Sequence, residues 1–371
     1  MFKIPENVNY VIDTLIGNGH KAYLVGGCVR DLLMGKAPTD YDVTTSALPE
    51  EVISLFPKTV PTGIKHGTVT VIIDKTAVEV TTFRTENSYS DTRHPDKVNF
   101  VSNIADDLCR RDFTVNAMAY NRYEGIIDLF GGKADIENKI LKTVGAPKER
   151  FSEDALRILR LFRFASCLDF AIESETLCAA LSCADALKNV SRERIFGELK
   201  KAVTGDNLTV FEDLIKSGKL GFINLTEIPD YSAVNRCKDY PLTRLYLFLG
   251  TDTLKLLKPS KNELYYFTAF DTLLKSDVTE KKEDIKELLN TYNTDILKAF
   301  YHYRGLNPQK IEDVINSGEP YKISHLKIDG KTLLNIGYKN EKIGEILEHL
   351  RKCVIKTPEK NTKENLLKEI P

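Results

Sequence analysis

No stretch of this chain approaches the roughly 18 consecutive apolar residues that a membrane-spanning helix needs, which excludes such a helix. Its first residues, Met1-Phe2-Lys3-Ile4-Pro5-Glu6-Asn7, lack the basic-then-apolar layout of a secretory leader. Cysteine is scarce and odd in number, seven, with no C-x-x-C spacing, which argues against a disulfide framework and against structural zinc. A reducing, cytoplasmic setting is expected. Positive charge is not in excess either: 52 Lys and Arg against 53 Asp and Glu leave a net charge of −1. A wholly basic DNA-coating protein is therefore ruled out, while a nucleic acid met by a local basic groove is not. Internal repeats and low-complexity segments are also missing. What remains is globular: 42% hydrophobic and 28% charged residues over 371 positions, more than one core usually holds.

Two textures divide the chain. Val8, Val11, Ile12, Leu15 and Ile16 follow helical spacing until Gly17 and Gly19. Ala22 to Val25 reads as a short strand entering Gly26-Gly27. Thr68 to Ile73 and Thr76 to Arg84 read as strands joined through Asp74-Lys75, and Ile126 to Leu129 as another before Gly131-Gly132 and a short helix. The hairpin-like pair makes a purely parallel sheet unsuitable. From Ser152 onward the apolar spacing is helical almost to the end. There Ile343, Ile346, Leu347, Leu350 and Val354 form one stripe, with Lys342, Glu345, Glu348, Arg351 and Lys352 expected to face away. A mixed α/β head followed by an all-helical remainder is the expected α+β arrangement.

The first chemical constellation is Leu24-Val25-Gly26-Gly27-Cys28-Val29-Arg30-Asp31 followed by Asp40-Tyr41-Asp42-Val43. Glycines between a strand and a helix let the backbone approach a phosphate, and Arg30 can add a guanidinium. Asp40 and Asp42, read as residues i and i+2 of one strand, would point to the same face. Two like charges there repel unless a divalent cation sits between them, and oxygen-only ligands suit Mg²⁺. By itself the Gly-Gly turn is an ordinary turn, and the D-x-D pair an ordinary solvated loop. Together they place a phosphate cradle beside metal carboxylates.

These motifs resemble those of the bacterial class II tRNA nucleotidyltransferases, the CCA-adding enzymes of the DNA-polymerase-β-like nucleotidyltransferase superfamily. Gly-Gly followed by D-x-D is the superfamily's hallmark. The class II family is similar in Arg110-Arg111-Asp112-Phe113-Thr114-Val115-Asn116-Ala117, in Asp128-Leu129-Phe130-Gly131-Gly132, in Glu153-Asp154-Ala155-Leu156-Arg157, and in Arg192-Glu193-Arg194-Ile195 with Glu198-Leu199. The likeness runs from about residue 22 to 200 and is loose beyond. It implies a nucleotidyltransferase head over 1–147, a helical neck with a base-reading motif over 148–205, and a helical, tRNA-binding body and tail over 206–371.

The resemblance implies addition of CCA to tRNA 3′ ends from CTP and ATP without a template, by a monomer or weak homodimer with no membrane partner. Asp40 and Asp42 would be the Mg²⁺ ligands and Glu79, on the strand Val78-Glu79-Val80, the third catalytic carboxylate, with an exposed strand residue as its plain alternative. Gly27, Arg30 and Arg111 would hold the nucleotide. Asp154 accepts hydrogen bonds only and Arg157 donates only, so the pair matches the amino group and ring nitrogen of C or A and mismatches G and U. Without the motif context they would be an ordinary i,i+3 ion pair. Arg157, Arg160 and Arg163 recur every third residue on a largely apolar helix and need anionic company, from a triphosphate and RNA or from structural carboxylates.

Arg110-Arg111-Asp112 leads into what reads as an apolar helix, with Asp112 as its N-cap. Residues 85–107 form a polar stretch, equivalent in the family to the segment needed for the switch from C to A addition. No His-Asp dipeptide is present, so the phosphohydrolase domain of some relatives has no candidate here. The alternatives are an A-only or CC-only enzyme, a bacterial poly(A) polymerase, or a non-catalytic tRNA-binding protein on the same scaffold.

Overall fold

The spacing of Val8, Val11, Ile12 and Leu15 places them on one stripe, and in the computed structural model they are the buried face of helix α1 (Glu6–Gly17). The structure describes residues 2–87 and 97–371. Strand β1 (Ala22–Val25) follows, buried along its whole length. The chain then adds α2 (Gly27–Leu33), β2 (Asp42–Thr45), α3 (Pro49–Leu55), β3 (Thr59–Gly63), β4 (Thr68–Ile73) and β5 (Thr76–Thr82). The antiparallel pair β6 (Arg84–Asn87) and β7 (Lys97–Phe100) comes next, then α4 (Ile104–Cys109), β8 (Met118–Asn121), β9 (Gly125–Asp128), α5 (Gly132–Glu137) and β10 (Ile140–Leu141).

Seven strands form one sheet in the order β3-β4-β5-β2-β1-β8-β9. Its neighbours are antiparallel except β2 and β5, which run parallel, so the mixed sheet expected from the hairpin is present. Asp74 and Lys75 close that hairpin at φ +46° and +69°, with Ile73 facing Thr76, as a two-residue turn between twisted strands requires. One sheet face packs Leu24, Val43, Val69, Val71, Val78 and Val80 beneath α1 and α3. The other packs Tyr23, Val25, Phe83 and Ala119 against Ile104 and Leu108 of α4. Two covered faces explain why β1 has no polar alternation.

The segment after Arg110-Arg111-Asp112 is not the apolar helix expected. Thr114–Asn116 makes a single 3₁₀ turn, and Met118 to Asn121 enters the sheet between β1 and β9. Asp112 therefore caps no α-helix. A short apolar run has no periodicity that separates strand from helix, and the strand partners decide it.

The chain continues with α6 (Pro147–Glu153), α7 (Leu156–Leu168), β11 (Ala171–Ile172), α8 (Ser174–Cys183), α9 (Arg192–Ala202) and α10 (Glu212–Lys216). This stretch is helical but for β11, which pairs in parallel with β10. α7 packs on α9, and a side chain at Gly205 would collide with Ser166, so the chain leaving α9 needs glycine to pass that close. Residues 1–228 form one compact unit.

A second unit, from Pro229 to Pro371, is helical: α11 (Tyr231–Arg236), α12 (Pro241–Leu256), α13 (Lys261–Leu274), α14 (Lys282–Thr291), α15 (Thr294–Arg304), α16 (Gln309–Asn316), α17 (Gly330–Asn335), α18 (Asn340–Lys356) and α19 (Lys363–Lys368). Gly250, at φ +73°, kinks α12. Ser260 and Glu263 form a capping box at the start of α13. The stripe on α18 is as expected except at Arg351, which is 1% exposed rather than facing water. It donates to Glu348 on its own helix, to Glu287 of α14 at 2.6 Å and to the Tyr321 carbonyl. Those acceptors satisfy a guanidinium that α18 places indoors.

Candidate functional site

β1 ends at Val25 and the chain turns at Gly26, whose φ of +81° is in the left-handed region that favours glycine. A Cβ at Gly26 would lie 3.1 Å from Nη1 of Arg111, so the Gly-Gly turn and the Arg110-Arg111-Asp112 motif meet there. The Gly26 amide donates to the Met118 carbonyl of β8, which fixes the turn to the sheet. Gly27 opens α2. Arg30, one turn on, is buried: Nε and Nη2 donate to Asp31 at 2.9 and 2.7 Å, and Nη1 to Asn116 at 2.7 Å.

Asp42 is the first residue of β2, and the parallel register sets it opposite Glu79 of β5. Asp40 lies in the bend before β2, so the shared-strand argument applies to Asp42 but not to Asp40. The two still feel each other. Asp42 is exposed, yet crowding by protein raises its carboxyl above the ordinary range. The charges of Asp40 and Glu79 raise it further, and Arg111 opposes them. The three carboxylates therefore repel one another across this edge. Among the described residues no group of three or more His, Cys, Asp or Glu side chains is arranged to hold a metal ion on its own.

Arg111 is held from behind. Asp107, with no exposed surface, accepts from Arg110 Nε and Nη2 at 3.0 and 2.9 Å and from Arg111 Nη2 at 3.1 Å. Burial would raise the Asp107 carboxyl, but the charges of Arg111 and Arg110 hold it below its usual range. The Arg111 Nε is buried and has no hydrogen-bond partner among the described residues.

Asp112 is also buried. It accepts from Arg160 Nε and Nη2 at 2.8 and 2.5 Å and from Asn116 Nδ2 at 3.3 Å, so a polar chain runs Asp31–Arg30–Asn116–Asp112–Arg160. Burial alone would push its carboxyl up. The charge and hydrogen bonds of Arg160, with help from Arg157 and Asn116, hold it at about 2. A folded-state pKa below the unfolded value near 3.9 contributes stability that is present above pH 4 and lost as pH falls through about 2. Asp112→Asn should therefore cost ~2–3 kcal/mol at neutral pH, with the gap closing between pH 4 and 2. Denaturant unfolding across that range checks it.

Asp154 sits in extended backbone between α6 and α7, where Oδ1 accepts from the Leu156 amide at 3.0 Å and Oδ2 from Arg194 Nη2 at 2.8 Å. Arg157 donates through Nη1 to Glu153 at 2.5 Å and to the Arg150 carbonyl, and through Nη2 to the Arg110 carbonyl at 3.1 Å. Asp154 and Arg157 thus share a neighbourhood without forming the i,i+3 ion pair. The arginine stripe is met in turn by Glu153 for Arg157, Asp112 for Arg160 and Glu198 for Arg163, so each guanidinium is held in place by a carboxylate.

Sequence reasoning gave no role to Asp107, Arg194 or Glu198. Asp107 stands three and four residues before Arg110 and Arg111, a helical spacing that was a readable signal, whereas Arg194 and Glu198 find their partners, Asp154 and Arg163, far along the chain. The Asp128 motif shapes the head: Asp128 accepts from the Gly132 and Lys133 amides at 2.8 and 2.9 Å, and a Cβ at Gly132 would collide with the Thr114 carbonyl.

Residues 22–142 match the family described as Poly A polymerase head domain, and residues 169–224 one described as Probable RNA and SrmB-binding site of polymerase A. A CCA-adding enzyme of Lactobacillus delbrueckii is 48% identical over 209 residues, 56% of this chain and 53% of that protein. The chain therefore matches about half the length of that relative. The CCA-adding enzyme of Staphylococcus epidermidis is 35% identical over 98% of this chain and 97% of its own length. Among solved structures, the Bacillus stearothermophilus CCA-adding enzyme in complex with CTP superposes with a TM-score of 0.81 at 31% identity, covering 96% of this chain and 94% of that one. With relatives alike from end to end and its motifs in family order, the chain belongs to the CCA-adding enzyme family.

Proposed function

We propose that this protein adds the CCA terminus to tRNA from CTP and ATP, releasing pyrophosphate and using no nucleic-acid template. The observation that carries the reading is the meeting of Asp40, Asp42 and Glu79 with Arg111 over the Gly26 turn. Asp40 and Asp42 are the residues that would hold Mg²⁺, whose chemistry when bound is to neutralise the transferring phosphate and activate the RNA 3′-hydroxyl. Glu79 shapes the same acidic edge. Gly26 and Gly27 leave room for the triphosphate, and Arg111, whose Nη1 lies beside Gly26, adds positive charge there. Asp154 and Arg157 read the base, with Arg30, Arg160 and Arg163 as the cationic wall. Catalysis on this plan is positioning and electrostatics.

The head through residue 147 does the chemistry, the neck over 148–205 selects the nucleotide, and the body and tail over 206–371 hold tRNA by shape and phosphate contacts. The proposed setting is the cytoplasm, as a monomer or weak homodimer. The test is to offer tRNAs ending before the first C, before the second C and before A, with each NTP separately. Sequential C, C and A addition is expected. Addition of A alone or of CC alone would replace the reading by a partner enzyme, A runs by a poly(A) polymerase, and binding without addition by a non-catalytic protein.

A second measurement concerns residues 86–96, most of which lie outside the described residues. The described residues on either side, 84–87 and 97–100, pair antiparallel from Arg84↔Phe100 to Asn87↔Lys97. Removing 86–96 should leave C addition measurable and lower A addition on the order of 100-fold. Equal loss of both would assign the segment to folding or tRNA binding.

A further inference from the structure

Three guanidinium groups share the ring of Phe164. The carbon at the centre of the Arg163 guanidinium lies 4.0 Å from the ring centroid, that of Arg30 5.4 Å and that of Arg160 5.5 Å. The ring is half-buried, and Phe113 meets it edge-on at 5.7 Å and 79°. These groups come from α2, from the segment after Arg110-Arg111-Asp112 and from α7. Three cations this close repel one another, and each has its carboxylate partner: Asp31, Asp112 and Glu198 respectively for Arg30, Arg160 and Arg163. Arg163 is the least satisfied. Its Nε lies 2.8 Å from Glu198 but makes no hydrogen bond, and burial and the charge of Arg160 lower its pKa. The face of an aromatic ring carries partial negative charge, so Phe164 supplies an attraction common to all three that an aliphatic side chain of similar size lacks.

We infer that Phe164 is a positioning residue: its ring sets the spacing and direction of Arg30, Arg160 and Arg163, so that they face the polyphosphate of an incoming nucleoside triphosphate as a fixed array of donors. The inference rests on the nucleotide-binding reading of those arginines. It separates ring chemistry from volume. Phe164→Leu keeps an apolar side chain but removes the π face, whereas Phe164→Tyr keeps the face.

In single-nucleotide extension of truncated tRNA, Phe164→Leu should raise KM for CTP and for ATP alike by about tenfold and leave kcat within about twofold. Selectivity for C over U should not move, because the base-reading groups are untouched. Phe164→Tyr should return KM to near the wild-type value. Inorganic tripolyphosphate, titrated calorimetrically, should bind the leucine variant more weakly by a similar factor. An unchanged KM in the leucine variant, a fall in kcat with KM intact, or an equal loss in the leucine and tyrosine variants would overturn the inference. If wild-type protein incorporates neither CTP nor ATP, the underlying reading fails instead, and the tripolyphosphate titration alone decides whether the ring organises an anion site.

Discussion

Asp42→Asn should abolish nucleotide addition and at the same time raise the melting temperature of the metal-free protein near neutral pH. Crowding by protein and the charges of Asp40 and Glu79 hold the Asp42 carboxyl above its ordinary range, despite the opposing charge of Arg111. A folded-state pKa above the unfolded one means that the native protein holds that proton more tightly than the unfolded chain. The stability contributed by this group is present in acid and declines as pH rises through its titration. Asparagine keeps the shape and carries no charge, so the decline disappears. The two proteins should melt alike in acid and diverge towards neutrality, the variant being the more stable in chelator. Adding Mg²⁺ should raise the wild-type melting temperature and leave the variant nearly unmoved. Addition should fall by ~10³-fold or more, since neutralising the transferring phosphate supplies several kcal/mol. Thermal melts in chelator and in Mg²⁺, beside single-turnover extension, measure both effects. A variant that is less stable in chelator at neutral pH would defeat the like-charge account of this edge.

How much of this was legible depends on how local each feature is. The stripe of α1 and the β4–β5 hairpin follow from spacing and from two turn residues, and both stand where the pattern put them. The convergence of Gly26 with Asp42 required only a helix and a return strand between them, which the chain supplies. Non-local partners were not legible. Met118 to Asn121 is strand because β1 and β9 flank it. Arg160 is neutralised by a carboxylate 48 residues away, Asp154 by an arginine 40 residues away, and Arg351 by Glu287 at a distance of 64. In each case the residue types announced that an ion partner was needed, and tertiary packing chose which one.

That choice sharpens the expected result at the base-reading pair. Asp154→Ala should incorporate UTP and GTP, relative to CTP and ATP, far more often than wild type. The Arg194 ion pair and the Leu156 amide each occupy one oxygen of Asp154 without exhausting its acceptor sites, so the carboxylate is fixed in direction and can still accept from an exocyclic amino group. Arg157 has five N–H donors, of which three are taken by Glu153 and by the Arg150 and Arg110 carbonyls, leaving Nε–H and one Nη2–H for a ring nitrogen. Both groups are thus held before a nucleotide arrives, which is what discrimination by a fixed edge requires. Removing the Asp154 acceptor should lower selectivity by the cost of one unpaired polar group, about 1–3 kcal/mol, or roughly 5- to 150-fold. Arg157→Ala also cuts the ties to Glu153 and Arg110, so its loss mixes selectivity with folding. Arg194→Ala is the cleaner companion: it leaves both readers in place, frees the Asp154 carboxylate to turn, and should lower selectivity in the same direction by a smaller factor. Mg²⁺ dependence at Asp40 and Asp42 should be unchanged in both variants. Single-nucleotide extension of truncated tRNA with each of the four NTPs reads these ratios directly. Wild-type selectivity in Asp154→Ala and Arg194→Ala would reduce Asp154 to a helix cap with an ion-pair partner.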